Sequence, residues 1–406
     1  MYLLKEDRFN YHYKLLYITI YFLEGFTGYI IYVVLSYYLN NVLNLDPIIV
    51  GIYGSVPLIP FFLKIIIGPL IDNRKMPILK GRIRPYIIIG SILNAVFISF
   101  LGLNPQDFIV LYLSLWTLQS LGLVFMDVGT DILVIRDKDQ RMVKVSSVII
   151  VVGLTLGEIF SAIYSVVMIE ILNVNYFLFY LYSGIICAFL IIFILFFREK
   201  EFEVPSDNPT LKELFQSLKS RNIIIGTIFG FLLYMDSGLL EYTLEDFLYN
   251  QWNVGLQSLA ILNIVGTITV FISAPIIYIL RKKANIKRVL ILISCIFFVM
   301  YISLFTLLVS ELLTFEIFLI IFCIGAIFSS INIIFYYAFF FEISEIKMAG
   351  IHFVFLTSFV SIGKIIGIFI GGYIYEWGGM VLIFIVCSIV MYARLFPLIF
   401  LKSKNQ

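Results

Sequence analysis

REKEFEVPSDNPTLKELFQSLKSR, residues 198–221, is the one long polar stretch in a chain of 406 residues that is 61% hydrophobic and 13% charged. Its proline and asparagine turn cluster, followed by a short amphipathic pattern, reads as a linker outside the apolar segments. Six apolar runs precede it and six follow: 15–39, 47–71, 85–103, 107–134, 146–170, 175–197, 222–248, 255–280, 289–310, 313–341, 350–373 and 379–400. Each approaches the ~20 residues a helix needs to cross ~30 Å of hydrocarbon. A membrane β-barrel would instead show alternating segments of about ten residues. The expected fold class is therefore an all-α membrane protein of 12 transmembrane helices in two six-helix bundles, 1–197 and 222–406, joined by 198–221.

Charge placement orients these helices. With the N-terminus inside, 25 of the 28 Lys and Arg fall in segments on the cytoplasmic side, and the other three, Lys64, Lys364 and Arg394, fall inside predicted helices. The positive-inside rule then places both termini in the cytoplasm of a multi-pass cell-membrane protein. The first apolar run is too long for a signal-peptide core and carries a glutamate, so it is expected to stay as helix one. Cys187, Cys295, Cys323 and Cys387 lie in apolar helices without CxxC spacing and read as small core residues, with no disulfide framework or zinc site. His12 in the tail and His352 at a helix start do not suggest a metal either.

The two halves echo each other. Gly157-Glu158 in helix five and Gly363-Lys364 in helix eleven are offset by 206 residues, and each is followed by small residues, Ser161 and Ala162 or Gly367, Gly371 and Gly372. Small residues at such spacing permit close helix packing. Repeated six-helix halves with a substrate between them near the midplane are the architecture of the major facilitator superfamily.

An ionisable group deep in a bilayer costs roughly 2.5–3.5 kcal/mol on insertion scales, so each one is a candidate for function. At 1.5 Å per residue from the cytoplasmic end, Glu24, Lys64 and Asp127 lie at roughly 12–14 Å, and Glu158, Asp236 and Lys364 at roughly 18–21 Å. Both layers contain both signs, which allows neutralisation in pairs and coupling to protons or another ion. These six are the candidate substrate and proton-coupling residues. Lys64 is expected to pair with Glu24 or Asp127, and Glu158 to face Lys364 between the halves, against the alternative that Lys364 pairs with Asp236. Arg394, six residues from its helix end, reads as a snorkelling residue. Glu241, Glu245 and Asp246 read as a solvated vestibule at the mouth of helix seven.

Asp127 and Asp131 share one face of helix four (FMDVGTDILVI, 125–135). Asp131, Asp72, Arg82 and Arg84 form an expected cytoplasmic gate, with Arg82 and Arg84 reaching carboxylates such as Asp131. No GxxxxGK[ST] nucleotide loop is present, which disfavours an ATP-driven pump. The alternative from another class is an intramembrane Mg-dependent enzyme built on the helix-four aspartate pair, but it needs a second acidic motif, and the second half offers only Asn332, Glu342 and Glu345.

The stretches YFLEGFTGY (21–29), LNLDP (43–47), LKIIIGPLID (63–72), GRIRPYIII (81–89) and DVGTD (127–131) resemble the folate-biopterin transporter branch of the major facilitator superfamily. Lys64, Gly68 and Asp72 keep that branch's four-residue spacing, and Glu24 stands where it usually has Gln. The likeness covers roughly 21–164; muropeptide permease-type members share the lysine in helix two and the aspartate after it. The resemblance implies a secondary transporter of a small, anionic, pterin- or folate-like solute, proton-coupled and working by alternating access. No cofactor, metal or nucleic acid is expected, and the expected state is a monomer in the lipid bilayer.

Overall fold

The computed structural model of the protein describes residues 2–73, 81–136, 140–197, 199, 216–344 and 349–400, and among them it contains helices and no strands. Helix α1 runs over Tyr2–Tyr29 and continues in wider turns at Ile30–Leu35 and Tyr38–Val42. Helix α2 is interrupted: Pro47–Ser55 passes through a 3-10 turn at Val56–Leu58 into Ile59–Phe62 and then Lys64–Asn73. Pro57 and Pro60 sit at that interruption, where their missing N–H groups cannot complete a regular ladder. There follow α3 (Arg84–Ile98), α4 (Ile109–Arg136), α5 (Gln140–Ser165, with a wide turn at Val166–Ile171) and α6 (Tyr176–Phe196).

In the second half, α7 is discontinuous as well, made of Arg221–Leu233, Met235–Leu240 and Thr243–Trp252. Then come α8 (Leu256–Lys283), α9 (Ile286–Val309) and α10 (Phe315–Ile343). The last run, Ala349–Phe400, is broken at Gly379 (φ 59°, ψ −160°), which separates α11 from α12. The described helices are consistent with the twelve spans read from the sequence.

Local chemistry sets the ends. Asn44, Asn173 and Asn253 take positive φ just after α1, α5 and α7, a conformation asparagine tolerates better than most residues. The side chains of Asn175, Asn285 and Thr314 cap the first turns of α6, α9 and α10 by accepting from their free N–H groups.

Contacts divide the chain into two units, Met1–Leu35 with Val56–Asn208, and Ser36–Ser55 with Pro209–Gln406. In the first unit α1 packs on α5, while α3 packs on α4 and α6. Gly157 lies against the Phe22 carbonyl and Gly25 against that of Leu154, and Phe22, Phe26, Phe160 and Tyr164 close the seam with ring contacts. In the second unit α7 packs on α11 in the same manner, Gly363 against the Phe231 carbonyl and Gly238 against that of Lys364. The residues 36–55 join this unit because Gly51 and Gly372 let Pro47–Ser55 approach the α11 backbone. The sequence echo at Gly157 and Gly363 thus marks one packing solution used twice.

Outward-facing apolar residues such as Ile66, Val110, Phe189, Phe196 and Trp377 suit a lipid surround. The same circumstance corrects the expectation for the cysteines. Cys187 and Cys387 are buried, but Cys295 is exposed and Cys323 half-buried, because an apolar helix in a bilayer need not turn every apolar side chain inward.

Replacing Gly157 or Gly363 by Ala puts a Cβ against a carbonyl of the facing helix, so each change is expected to cost about 1–3 kcal/mol. Gly28→Ala meets nothing closer than the Tyr32 ring at 3.9 Å and should be neutral or gain up to about 1 kcal/mol from helix propensity. Thermal unfolding of the purified protein in detergent checks this; equal effects at all three positions would refute the packing account.

Candidate functional site: two buried charge clusters

Each unit buries one cluster of charges. In the first, the Lys64 ammonium forms an ion pair with the Asp127 carboxylate, as the shared depth of α2 and α4 predicts, and stands 5.1 Å over the Phe61 ring. The break in α2 makes Lys64 the first residue of a new helical segment. Glu24 from α1 faces Lys64, Asp127 and Asp131, and one of its oxygens is buried without a hydrogen-bond partner. Asp131 accepts a hydrogen bond from the Tyr21 hydroxyl and lies beside both Asp127 and Lys64. Three carboxylates therefore share one lysine.

In the second unit each of the two cations has a carboxylate beside it. The Lys364 ammonium on α11 lies 3.1 Å from the Glu241 carboxylate. Glu241 occupies the break of α7 between Leu240 and Thr243, where its backbone N–H bonds to the Gly238 carbonyl. One and a half turns earlier, Asp236 accepts a 2.7 Å hydrogen bond from Tyr301 of α9 and lies near Arg394 of α12. Arg394 donates to Asn332 of α10 and stacks 5.0 Å from the Phe229 ring. Tyr234 and Tyr336, linked by a hydrogen bond, complete the lining near Lys364 and Arg394.

Several sequence expectations change here. Arg394 does not snorkel; it is 1% exposed, because Asn332 of α10 and Asp236 and Phe229 of α7 meet it. Glu241, Glu245 and Asp246 do not form a solvated vestibule. Glu241 holds Lys364, Glu245 is buried with a hydrogen bond from Ser36, and Asp246 bonds to Tyr375 and Asn250. Glu241, Arg394, Asn332 and the hydroxyls of Tyr21 and Tyr301 are members that sequence reasoning did not select. Glu158 lies half-buried on α5.

Of the expected gate residues, Asp131 and Arg84 have partners elsewhere. The Asp72 side chain lies outside the described residues. Gly81, at φ 107°, turns the chain so that the backbone N–H groups of Arg82, Ile83 and Arg84 donate to the Glu199 carboxylate at 2.8, 2.9 and 3.0 Å. This is an acidic cap on the N-terminus of α3, where negative charge is favoured. The Arg84 guanidinium donates to the Leu195 carbonyl at the end of α6, while Asp131 belongs to the Lys64 cluster. Nothing in the sequence spacing joins Glu199 to residues 117 positions earlier. His352 is buried, with Nε2 2.8 Å from the Ser217 hydroxyl, a packing role.

Comparison with known proteins supplies the family. Residues 17–351 match the model of the Major Facilitator Superfamily, and the chain belongs to that superfamily. Among solved structures it is similar to a POT family transporter in complex with a thioalcohol-conjugated peptide, at TM-score 0.77 and 14% identity over 95% of each chain. It is also similar to the nucleoside transporter NupG, at TM-score 0.69 and 17% identity over 97% of this chain and 100% of that one. A bacterial homolog to the human lysosomal transporter Spinster follows, at TM-score 0.63 and 13% identity over 97% and 92%. At such identities the likeness is one of fold. A comparison with curated proteins finds no match.

Removing one partner of a buried pair leaves an orphaned charge, which costs about 3–5 kcal/mol. Lys64→Gln is therefore expected to lower thermal stability strongly, and adding Asp127→Asn should recover part of the loss, with a coupling of about 0.5–3 kcal/mol. A double variant no more stable than Lys64→Gln alone would show that the pair is not energetically linked.

Proposed function

We propose that this protein is a secondary active transporter, a proton symporter that moves a small anionic solute across the cell membrane by alternating access, as a monomer with both termini cytoplasmic. The observation that carries this reading is that charges of both signs meet in ion pairs within the apolar spans of each unit, Lys64 with Asp127 and Lys364 with Glu241. Fixed charges in an apolar interior are tolerated where they serve a polar pathway. The charge counts divide the labour. Around Lys64, three carboxylates outnumber one cation, so the surplus is neutralised by protons or another coupling ion. Lys364 and Arg394 each have a carboxylate beside them, Glu241 and Asp236, and a cation that releases its partner can take an anion instead.

Glu158, at the position of the repeat equivalent to Lys364, is the residue we assign to coupling between the two events. Membership in the superfamily, the placement of Lys and Arg on one side, and the likeness of 21–164 to folate-biopterin transporters support the reading and favour a pterin- or folate-like anion. The enzyme alternative finds no support, because the aspartate pair that would hold Mg²⁺ is engaged by Lys64 and Tyr21.

Uptake into proteoliposomes from a mixed pool of labelled small metabolites, with and without an inward pH gradient, tests this. Anions are expected to accumulate, and the gradient should stimulate their uptake. Glu158→Gln is expected to abolish the stimulation while leaving exchange in the absence of a gradient. Uptake that ignores the gradient would overturn proton coupling, and unchanged stimulation in Glu158→Gln would make Glu158 structural.

A further inference from the structure

We propose that Glu241 is the built-in competitor for the solute: it occupies Lys364 in the empty carrier, and the anionic group of the solute displaces it. The inference rests on the anionic-solute reading above and adds the residue that sets affinity at the site. An anion inside the membrane needs a cation, and only Lys64, Lys364 and Arg394 lie within the apolar spans. Arg394 is closed to a solute, being 1% exposed and engaged by Asn332 and the Phe229 face. Lys64 has only 9% of its side chain exposed, and Glu24, Asp127 and Asp131 surround it, so an approaching anion meets three like charges.

Lys364 is different on both counts. Its side chain is 23% exposed and its paired carboxylate, Glu241, is 12% exposed. The other acids on α7 have partners of their own: Asp236 is held by Tyr301 and lies by Arg394, Glu245 takes a hydrogen bond from Ser36, and Asp246 bonds to Tyr375 and Asn250. Geometry makes the exchange local. The backbone of Lys364 is clamped, since Gly238 lies against its carbonyl and Gly367 against that of Met235, so the ammonium acts from a fixed base. Glu241 sits where α7 is interrupted, between two helical segments, and a side chain there can move without unwinding a regular turn. Interrupted membrane helices commonly build transporter binding sites. Displacement replaces one ion pair with another at Lys364, and the freed carboxylate keeps the partial exposure it already has.

The full-length protein in detergent, unfolded thermally with sodium acetate, benzoate, glutarate or inorganic phosphate against sodium chloride at equal ionic strength, tests the inference. Self-competition lowers apparent affinity by the fraction of time the site is occupied, so Glu241→Gln should bind the effective anion at about tenfold lower concentration. Glu241→Asp, which keeps the charge, should behave as wild type, and Lys364→Gln should show no anion-specific shift. A purely structural Glu241 would give a less stable protein with the same half-maximal concentration, and that result overturns the inference alone. If Glu241→Gln does not fold, weaker or unchanged binding in Lys364→Arg with wild-type binding in Glu241→Asp supports the pair as the site, whereas anion shifts persisting in Lys364→Gln overturn it. No anion-specific shift in wild type or Glu241→Gln overturns the anionic-solute reading together with this one.

Discussion

A charge inside a bilayer has no water to turn to, so its neutralisation must be built from other helices. That requirement organises both units. Lys64 draws α2, α4 and α1 together through Asp127, Asp131 and Glu24, and Arg394 draws α12 to α10 and α7 through Asn332, Asp236 and Phe229. Each contact removes one way for the helices to slide, because a shift of one residue along a helix would carry a charged head about 1.5 Å from its partner. The pairs act as registers for the bundle whether or not they also serve transport.

Close backbone packing makes those registers possible. Where glycines bring α1 onto α5 and α7 onto α11, short distances between axes let side chains of moderate length reach across. Lys364 shows the dependence directly: its carbonyl lies under Gly238 of α7 while its ammonium meets Glu241 three residues further along that helix. A bulkier residue at Gly238 would push the helices apart and lengthen the ion pair at the same time. The packing and the electrostatics are one construction.

The fold was largely legible because the signals that encode it are one-dimensional. Apolar run length and the spacing of glycines are both read along the chain, and they anticipate the helices and the repeated Gly157 and Gly363 seams. Depth along a helix is one-dimensional too, which is why Lys64 and Asp127 could be matched. What failed was azimuth. Arg394 lies close enough to its helix end to snorkel, but the face it occupies turns toward Asn332 and Asp236, and no depth count reveals that. Glu245 and Asp246 looked solvated for the same reason, since the hydrogen bonds from Ser36 and Tyr375 come from distant sequence. Glu199 escaped notice because its partners are backbone N–H groups, which carry no residue signature.

The placement of the two lysines relative to helix interruptions separates a fixed pair from an exchangeable one. At Lys64 the break lies on the cation's own helix, and the prolines that cause it hold a rigid local geometry, with the carboxylates arriving from unbroken helices. At Lys364 the arrangement is reversed: the cation stands on continuous α11, and the carboxylate stands on the interrupted α7, with no proline to stiffen the break. A partner mounted on an interruption can leave at lower cost than one mounted mid-helix, because fewer ladder hydrogen bonds constrain its backbone. The mobile member of the second pair is then the acid, which frees a cation rather than an anion. On the transport reading proposed above, that polarity and the surplus of carboxylates around Lys64 would give solute to one unit and coupling ion to the other without requiring either cluster to do both.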